Sequence, residues 1–254
     1  MIETGYLTEG SLTSFTGIQF NVDHPYSPRE AKRLLKLAME EIKKSSRMRE
    51  IGVDPRLGGR GKIPEDSVEV WDYVKLQGTE DSAQANERPH FTLGIRPEGV
   101  LAVMILPDKW LGVAGQQHPL KKLGKKAFHN HVTKVSKRIV DSLGSTPEAR
   151  PWVLVQQRRA LTGQRLNVWD AQLEFDPQTA VGLQSEERVG NLLREQPEWL
   201  SATYDALTNK NANVELCLGG RMQYDYAGVQ SPEFIDRVID SWAACRPLLD
   251  VLCP

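Results

Sequence analysis

Between Gln117 and Arg165 the chain carries eleven lysines and arginines against two acids, Asp141 and Glu148. The whole chain of 254 residues has a formal net charge of −1, so this local +9 is balanced by −10 elsewhere. Such asymmetry suits a surface that meets a polyanion. Lys121, Lys122, Lys125 and Lys126 would neutralise phosphates as point charges, whereas Arg158, Arg159 and Arg165 would grip them with paired hydrogen bonds. These seven are the candidate anion-binding residues, with nucleic acid or another phosphate-bearing polyanion as the partner class. A solvated helix face whose lysines serve only solubility has the same composition. Few aromatics interleave the lysines, which argues against stacking on single-stranded bases.

A second constellation is acidic. Asp170 and Glu174 share one face of a strand-like stretch, and Asp176 follows. Paired carboxylates of this kind could hold metal in a nuclease or another phosphate-acting enzyme, which is the alternative function. Asp176, not a lysine, stands two residues beyond Glu174, and carboxylates on the wet side of a half-buried strand are the simpler account. Catalytic residues are therefore left unassigned. The Gly-rich basic stretch Asp54 to Lys62 resembles a phosphate cradle, but Lys62 is followed by Ile63 and Pro64, so it lacks the G-x-x-x-x-G-K-[ST] order of a P-loop. Gly219-Gly220-Arg221 is a shorter version. His129-Asn130-His131 places its imidazoles two apart on a helix, on different faces, and His24 and His118 add no ligand spacing. Cys217, Cys245 and Cys253 are odd in number and lack C-x-x-C spacing, and the first two fall in apolar stretches that suit buried, inert thiols. Neither a metal nor a cofactor is expected.

The elements that must position these groups follow from periodicity. Gly17 to Val22 alternates like a strand, and Ser27-Pro28-Arg29-Glu30 opens a helix whose apolar stripe is Ala31, Leu34, Leu35, Ala38 and Ile42, ending near Arg47. Gly52 to Pro64 reads as loop, and Ser67 to Val74 as a strand, with a short helix as the alternative. Phe91 to Arg96 and Val100 to Leu106 form a hairpin across Pro97-Glu98-Gly99, and the second arm is apolar on both faces, as in a central strand. Pro119 to Leu143 reads as one long helix. Trp152 to Val155 and Leu166 to Phe175 read as strands, and Glu186 to Asn209 as mostly helical. Val214 to Leu218 and Met222 to Tyr226 read as a second hairpin turning at Gly219-Gly220-Arg221. Ser231-Pro232-Glu233 opens a last helix packed through Phe234, Val238, Ile239, Trp242 and Cys245.

Leu93-Gly94-Ile95-Arg96-Pro97-Glu98-Gly99, followed by an apolar strand and a basic helix, resembles the central part of a bacterial family of uncharacterised conserved proteins. Gly17-Ile18-Gln19-Phe20-Asn21 resembles that family's start. The resemblance spans about residues 15 to 140 and departs from the family at Val22-Asp23-His24-Pro25-Tyr26 and in the middle, where an arginine- and tyrosine-rich stretch is missing. It implies an α+β fold and no catalytic residue.

The expected architecture is α+β, a mostly antiparallel sheet covered by helices, with residues 1–144 and 145–254 as two halves or one continuous domain. Both outer units run strand, turn, Ser-Pro-capped helix, which fits two similar halves, although few identities are shared. The longest apolar run, Val100 to Leu106, is far short of a membrane span, and the start of the chain lacks the pattern of a secretory signal. No membrane partner and a cytoplasmic location are expected. The function expected is non-enzymatic binding or assembly through the basic sector. A subunit of a larger protein complex, or a homo-oligomer, is the further alternative.

Overall fold

The computed structural model describes residues 28–58, 70–78, 87–96, 99–111, 118–144, 146–160, 167–178, 181–187, 199–208 and 213–253. Eight strands form one antiparallel sheet: β1 (Val53–Gly58), β2 (Val70–Leu76), β3 (His90–Arg96), β4 (Gly99–Leu106), β5 (Ala149–Ala160), β6 (Asn167–Asp176), β7 (Val181–Glu187) and β8 (Asn213–Gln223). Their spatial order is β1-β2-β3-β4-β8-β5-β6-β7. The fold is thus α+β with an antiparallel sheet. Strands from both sides of Gly144 share this sheet, and β8 lies between β4 and β5. The expected strand from Gly17 to Val22 lies outside the described residues.

One face of the sheet is covered by α1 (Pro28–Lys44), α5 (Lys125–Leu143) and α7 (Phe234–Leu252). All five stripe residues of α1 are buried, as are Phe234, Val238, Ile239, Trp242 and Cys245 of α7. They meet Phe91, Leu93 and Ile95 of β3, Val100, Ala102 and Met104 of β4, and Leu216 and Leu218 of β8. Trp242 stacks on Phe91 with ring centres 5.6 Å apart, and its Nε1 donates to the Thr92 carbonyl at 3.2 Å. Ser241 stitches α7 to the sheet: its Oγ accepts from Gly220 N and donates to the Ala102 carbonyl, both at 2.7 Å.

That stitch corrects the expected second hairpin. β8 runs straight through Gly219-Gly220-Arg221, because these glycines serve close approach and do not turn the chain. A Cβ on Gly220 would sit 2.8 Å from both Ser241 Oγ and Leu143 Cδ1, and one on Gly219 would collide with the Ala102 carbonyl and lie 2.6 Å from Val103 Cα. Gly219→Ala should therefore push β4 and β8 apart and cost about 1–3 kcal/mol, read as a lower urea midpoint; an unchanged midpoint would contradict this packing.

Three further expectations are corrected. Pro119 to Leu143 is two helices, α4 (Pro119–Leu123) and α5, because Gly124 at φ +83° breaks the ladder. Residues from Val53 to Gly58 form the edge strand β1, where Pro55 is tolerated, and Gly59 to Lys62 lie outside the described residues. Glu186 and Glu187 belong to β7, and among the described residues of this stretch the helical part is α6 (Trp199–Leu207).

The second face of the sheet is the inside of a curl. Arg96 on β3 donates through Nη1 to Glu174 Oε1 on β6 at 2.8 Å. Three strands lie between them, so in a flat sheet their backbones would be about 19 Å apart, beyond what the two side chains and one hydrogen bond span. The strands must wrap around this face. Its apolar part is small: Leu101, Val103, Trp152, Leu154 and Cys217 are buried together, with Ile105 against them. Among the described residues, ten polar side chains are buried, and seven of them (Lys75, His90, Thr92, Gln156, Glu174, Asp176 and Glu215) fall on this face by strand register.

Candidate anion-binding surface

The basic helices sit on the outer side of the molecule. In α5 the stripe Phe128, Val132, Val135, Ile139 and Leu143 is buried, and Ser136 satisfies its hydroxyl on the Val132 carbonyl at 2.8 Å. This fixes which residues point outward: Lys126, Asn130, Thr133, Lys134, Lys137, Arg138 and Asp141 are exposed. Lys126, Asn130, Thr133 and Lys137 follow i, i+4, i+7, i+11, so they form one line about 16 Å long. Lys121 and Lys122 on α4 are also exposed. Among the described residues, none of the six outward cations, Lys121, Lys122, Lys126, Lys134, Lys137 and Arg138, makes an ion pair.

Their placement opposes helix stability. The first turns of α4 and α5 contain no acid, and the last turn of α5 contains no base. Lys125 and Lys126 stand at the positive end of the α5 dipole, where anions are favoured and cations are not, while Lys121 and Lys122 close the last turn of α4 just before it. Lys126→Glu should accordingly stabilise the fold by about 0.5 kcal/mol in a denaturant titration, and a loss of stability would show that Lys126 has a structural use.

Lys125 is the member of the expected site that the fold uses otherwise. Its Nζ is 2.8 and 3.0 Å from the Asp205 carboxylate and 6.0 Å from the centre of the Tyr204 ring, so it clamps α6 to α5. Tyr204 strengthens the clamp by donating to the Leu120 carbonyl at 3.2 Å and packing on Phe128. Lys121, Lys122 and Lys126 are brought together on the surface. Arg158 and Arg159 lie at the end of β5, where their backbones pair with Trp169 and Val168, but their side chains lie outside the described set, as does the whole of Arg165. Lys137 lies on the line, and Lys134 and Arg138 are exposed beside it. All three entered the charge count, and the eleven-residue spacing of Lys137 from Lys126 is the signal that places those two on the same face.

His118 and His131 add no charge to this surface at neutral pH. Burial, chiefly, and the neighbouring Lys121 hold His118 below the ordinary imidazole range, against the opposing pull of the Leu207 carbonyl; burial and Lys134 do the same to His131.

The acidic constellation is corrected. Glu174 is only 1% exposed and is neutralised by Arg96, so its carboxylate is neither on a wet face nor open to a metal ion. Asp176 accepts from the Gln178 backbone N–H at 2.7 Å, and the Asp170 side chain lies outside the described set. Among the described residues no three His, Cys, Asp or Glu side chains are grouped to hold a metal. Cys245 is buried, donates to the Leu218 carbonyl at 3.3 Å, and burial pushes its thiol up to about 12, while Cys217 is buried on the inner face. Among the described residues no helix is long and apolar enough to cross a membrane.

Comparison with family models, curated proteins and solved structures finds no match for this chain.

Proposed function

We propose that the protein binds a polyanion, nucleic acid or a comparable phosphate-bearing polymer, through the outer surface of α4 and α5, without chemically transforming it. The observation that carries this reading is the set of six outward cations with no ion pair among the described residues, one of which, Lys126, stands with Lys125 at the positive end of α5 at a cost to stability. Local choices that oppose stability with no structural return are expected where a ligand supplies the compensation. A bound phosphate chain would relieve the repulsion among the lysines and receive the N-terminal dipole of the helix.

The test is fluorescence anisotropy with labelled duplex DNA, RNA and heparin at low salt. The expected result is binding of at least one of them that weakens as salt rises, and a clear loss of affinity in Lys126→Glu, the same change expected to stabilise the fold. That pairing separates a binding defect from an unfolding defect. If none of the three binds even at low ionic strength, where non-specific electrostatic association is strongest, the proposal fails and docking to an acidic protein surface takes its place.

A further inference from the structure

Arg221, which closes the Gly219-Gly220-Arg221 stretch of β8, stands directly opposite Arg150 of β5 in the sheet. The row continues from Arg221 to Leu101 of β4, which places both arginines on the inner face, at the end where β5 begins. Residues so opposed carry their Cβ atoms about 5 Å apart, and equal charges there oppose strand pairing. Buried Leu101 and Trp152 flank the pair and keep water from part of its surroundings, which strengthens the repulsion. Nothing in the described protein offsets it: neither arginine makes an ion pair among the described residues. Of the acids on this face, Glu174 is held by Arg96 and Asp176 accepts from Gln178, while Glu148 makes no ion pair with Arg150. Arg150 donates through Nε, at 3.0 Å, and through Nη2 to the Pro147 carbonyl, which fixes its guanidinium and leaves Nη1 without an acceptor. The Arg221 guanidinium makes no hydrogen bond among the described residues. Both side chains are partly exposed, so a solute can reach them.

We propose that Arg150 and Arg221 together bind one phosphate group, as the free ion or at the end of a small phosphate ester. A carboxylate would neutralise only one of the two cations. A phosphate carries about 1.5 to 2 negative charges near pH 7 and three acceptor oxygens, which suits two guanidinium forks side by side. Because the two arginines are neighbours on adjacent strands, one such group touches both. The site is separate from the lysine surface, since α5 packs on the opposite face of the sheet.

The probes are inorganic phosphate and methyl phosphate, each titrated near pH 7 and at constant ionic strength into the nitrogen-15 labelled protein, with sodium chloride as the control. The reporter is the Arg150 Nε–H resonance, which its bond to the Pro147 carbonyl slows in exchange and which is assigned by its loss in Arg150→Lys. The expected result is a shift that saturates with at least one phosphate and not with chloride. In Arg221→Gln, which removes a repelled charge and keeps much of the stem, the same resonance should saturate at about tenfold higher probe concentration or more. Saturation by both probes identifies an ester as an acceptable ligand, and saturation by inorganic phosphate alone identifies the free ion. An Arg150 resonance that responds to neither phosphate beyond the chloride control overturns the proposal on the unaltered protein alone. A response unchanged in Arg221→Gln overturns it as well, because the two arginines would then not act together.

Discussion

Val103→Asp should lower stability by about 4 kcal/mol or more, enough to leave a large unfolded fraction in a domain of ordinary stability. Val103 is 3% exposed at the centre of the sheet, where β4 pairs with β3 on one side and β8 on the other. On the inner face its row neighbours are Thr92 and Gly219, neither of which offers a cation. Arg96, on the same face, is already bound to Glu174. A carboxylate introduced there loses its hydration with nothing to replace it. The measurement is a urea titration beside Val103→Ala, which should lose only the burial of two methyl groups. A Val103→Asp protein with the wild-type midpoint would mean that this face is open to solvent.

Glu174→Ala should also be damaging, at about 2–4 kcal/mol, because it removes a buried carboxylate partner of the Arg96 guanidinium, which lies over Trp152. Removing both charges should cost less than removing one. Arg96→Met combined with Glu174→Leu keeps apolar bulk in both places and leaves no unpaired ion, so its melting temperature should lie above that of either single variant. Equal and additive losses from the two single changes would show that the pair is not coupled and that the sheet is less curled than the contact requires.

The outcome for Glu174 illustrates where sequence reasoning runs out. A strand with acids at every second or fourth position reads as half wet, and period two cannot distinguish a solvated face from a buried polar one. What distinguishes them here is Arg96, which is 78 residues away with three strands between, and only curling brings it near. Gly219-Gly220 misled in the same way, since glycine marks both turns and close approaches, and Ser241 and Ala102 decide which. The break at Gly124 was written in the glycine but masked by apolar periodicity on either side of it. By contrast, the β3–β4 hairpin, the central place of β4 and the buried stripes of α1 and α7 were all legible, because each depends on the local pattern of side chains meeting one core. The lysine surface lies between these cases. Its outward face follows from the buried stripe of α5, whereas the diversion of Lys125 depends on Asp205, whose position no local pattern reveals.

The most direct test of the central claim is the salt dependence of binding in the triple variant Lys126→Ala, Lys134→Ala, Lys137→Ala, compared with the unaltered protein on the same duplex DNA. These lysines are exposed, and none makes an ion pair among the described residues, so the variant should fold with wild-type stability or slightly above it. Each phosphate contact contributes about 0.9 to the slope of log affinity against log salt, so the slope should become shallower by up to about 2.7 while affinity at low salt falls. A triple variant that binds with unchanged slope and unchanged affinity would contradict the assignment of α4 and α5 as the polyanion surface.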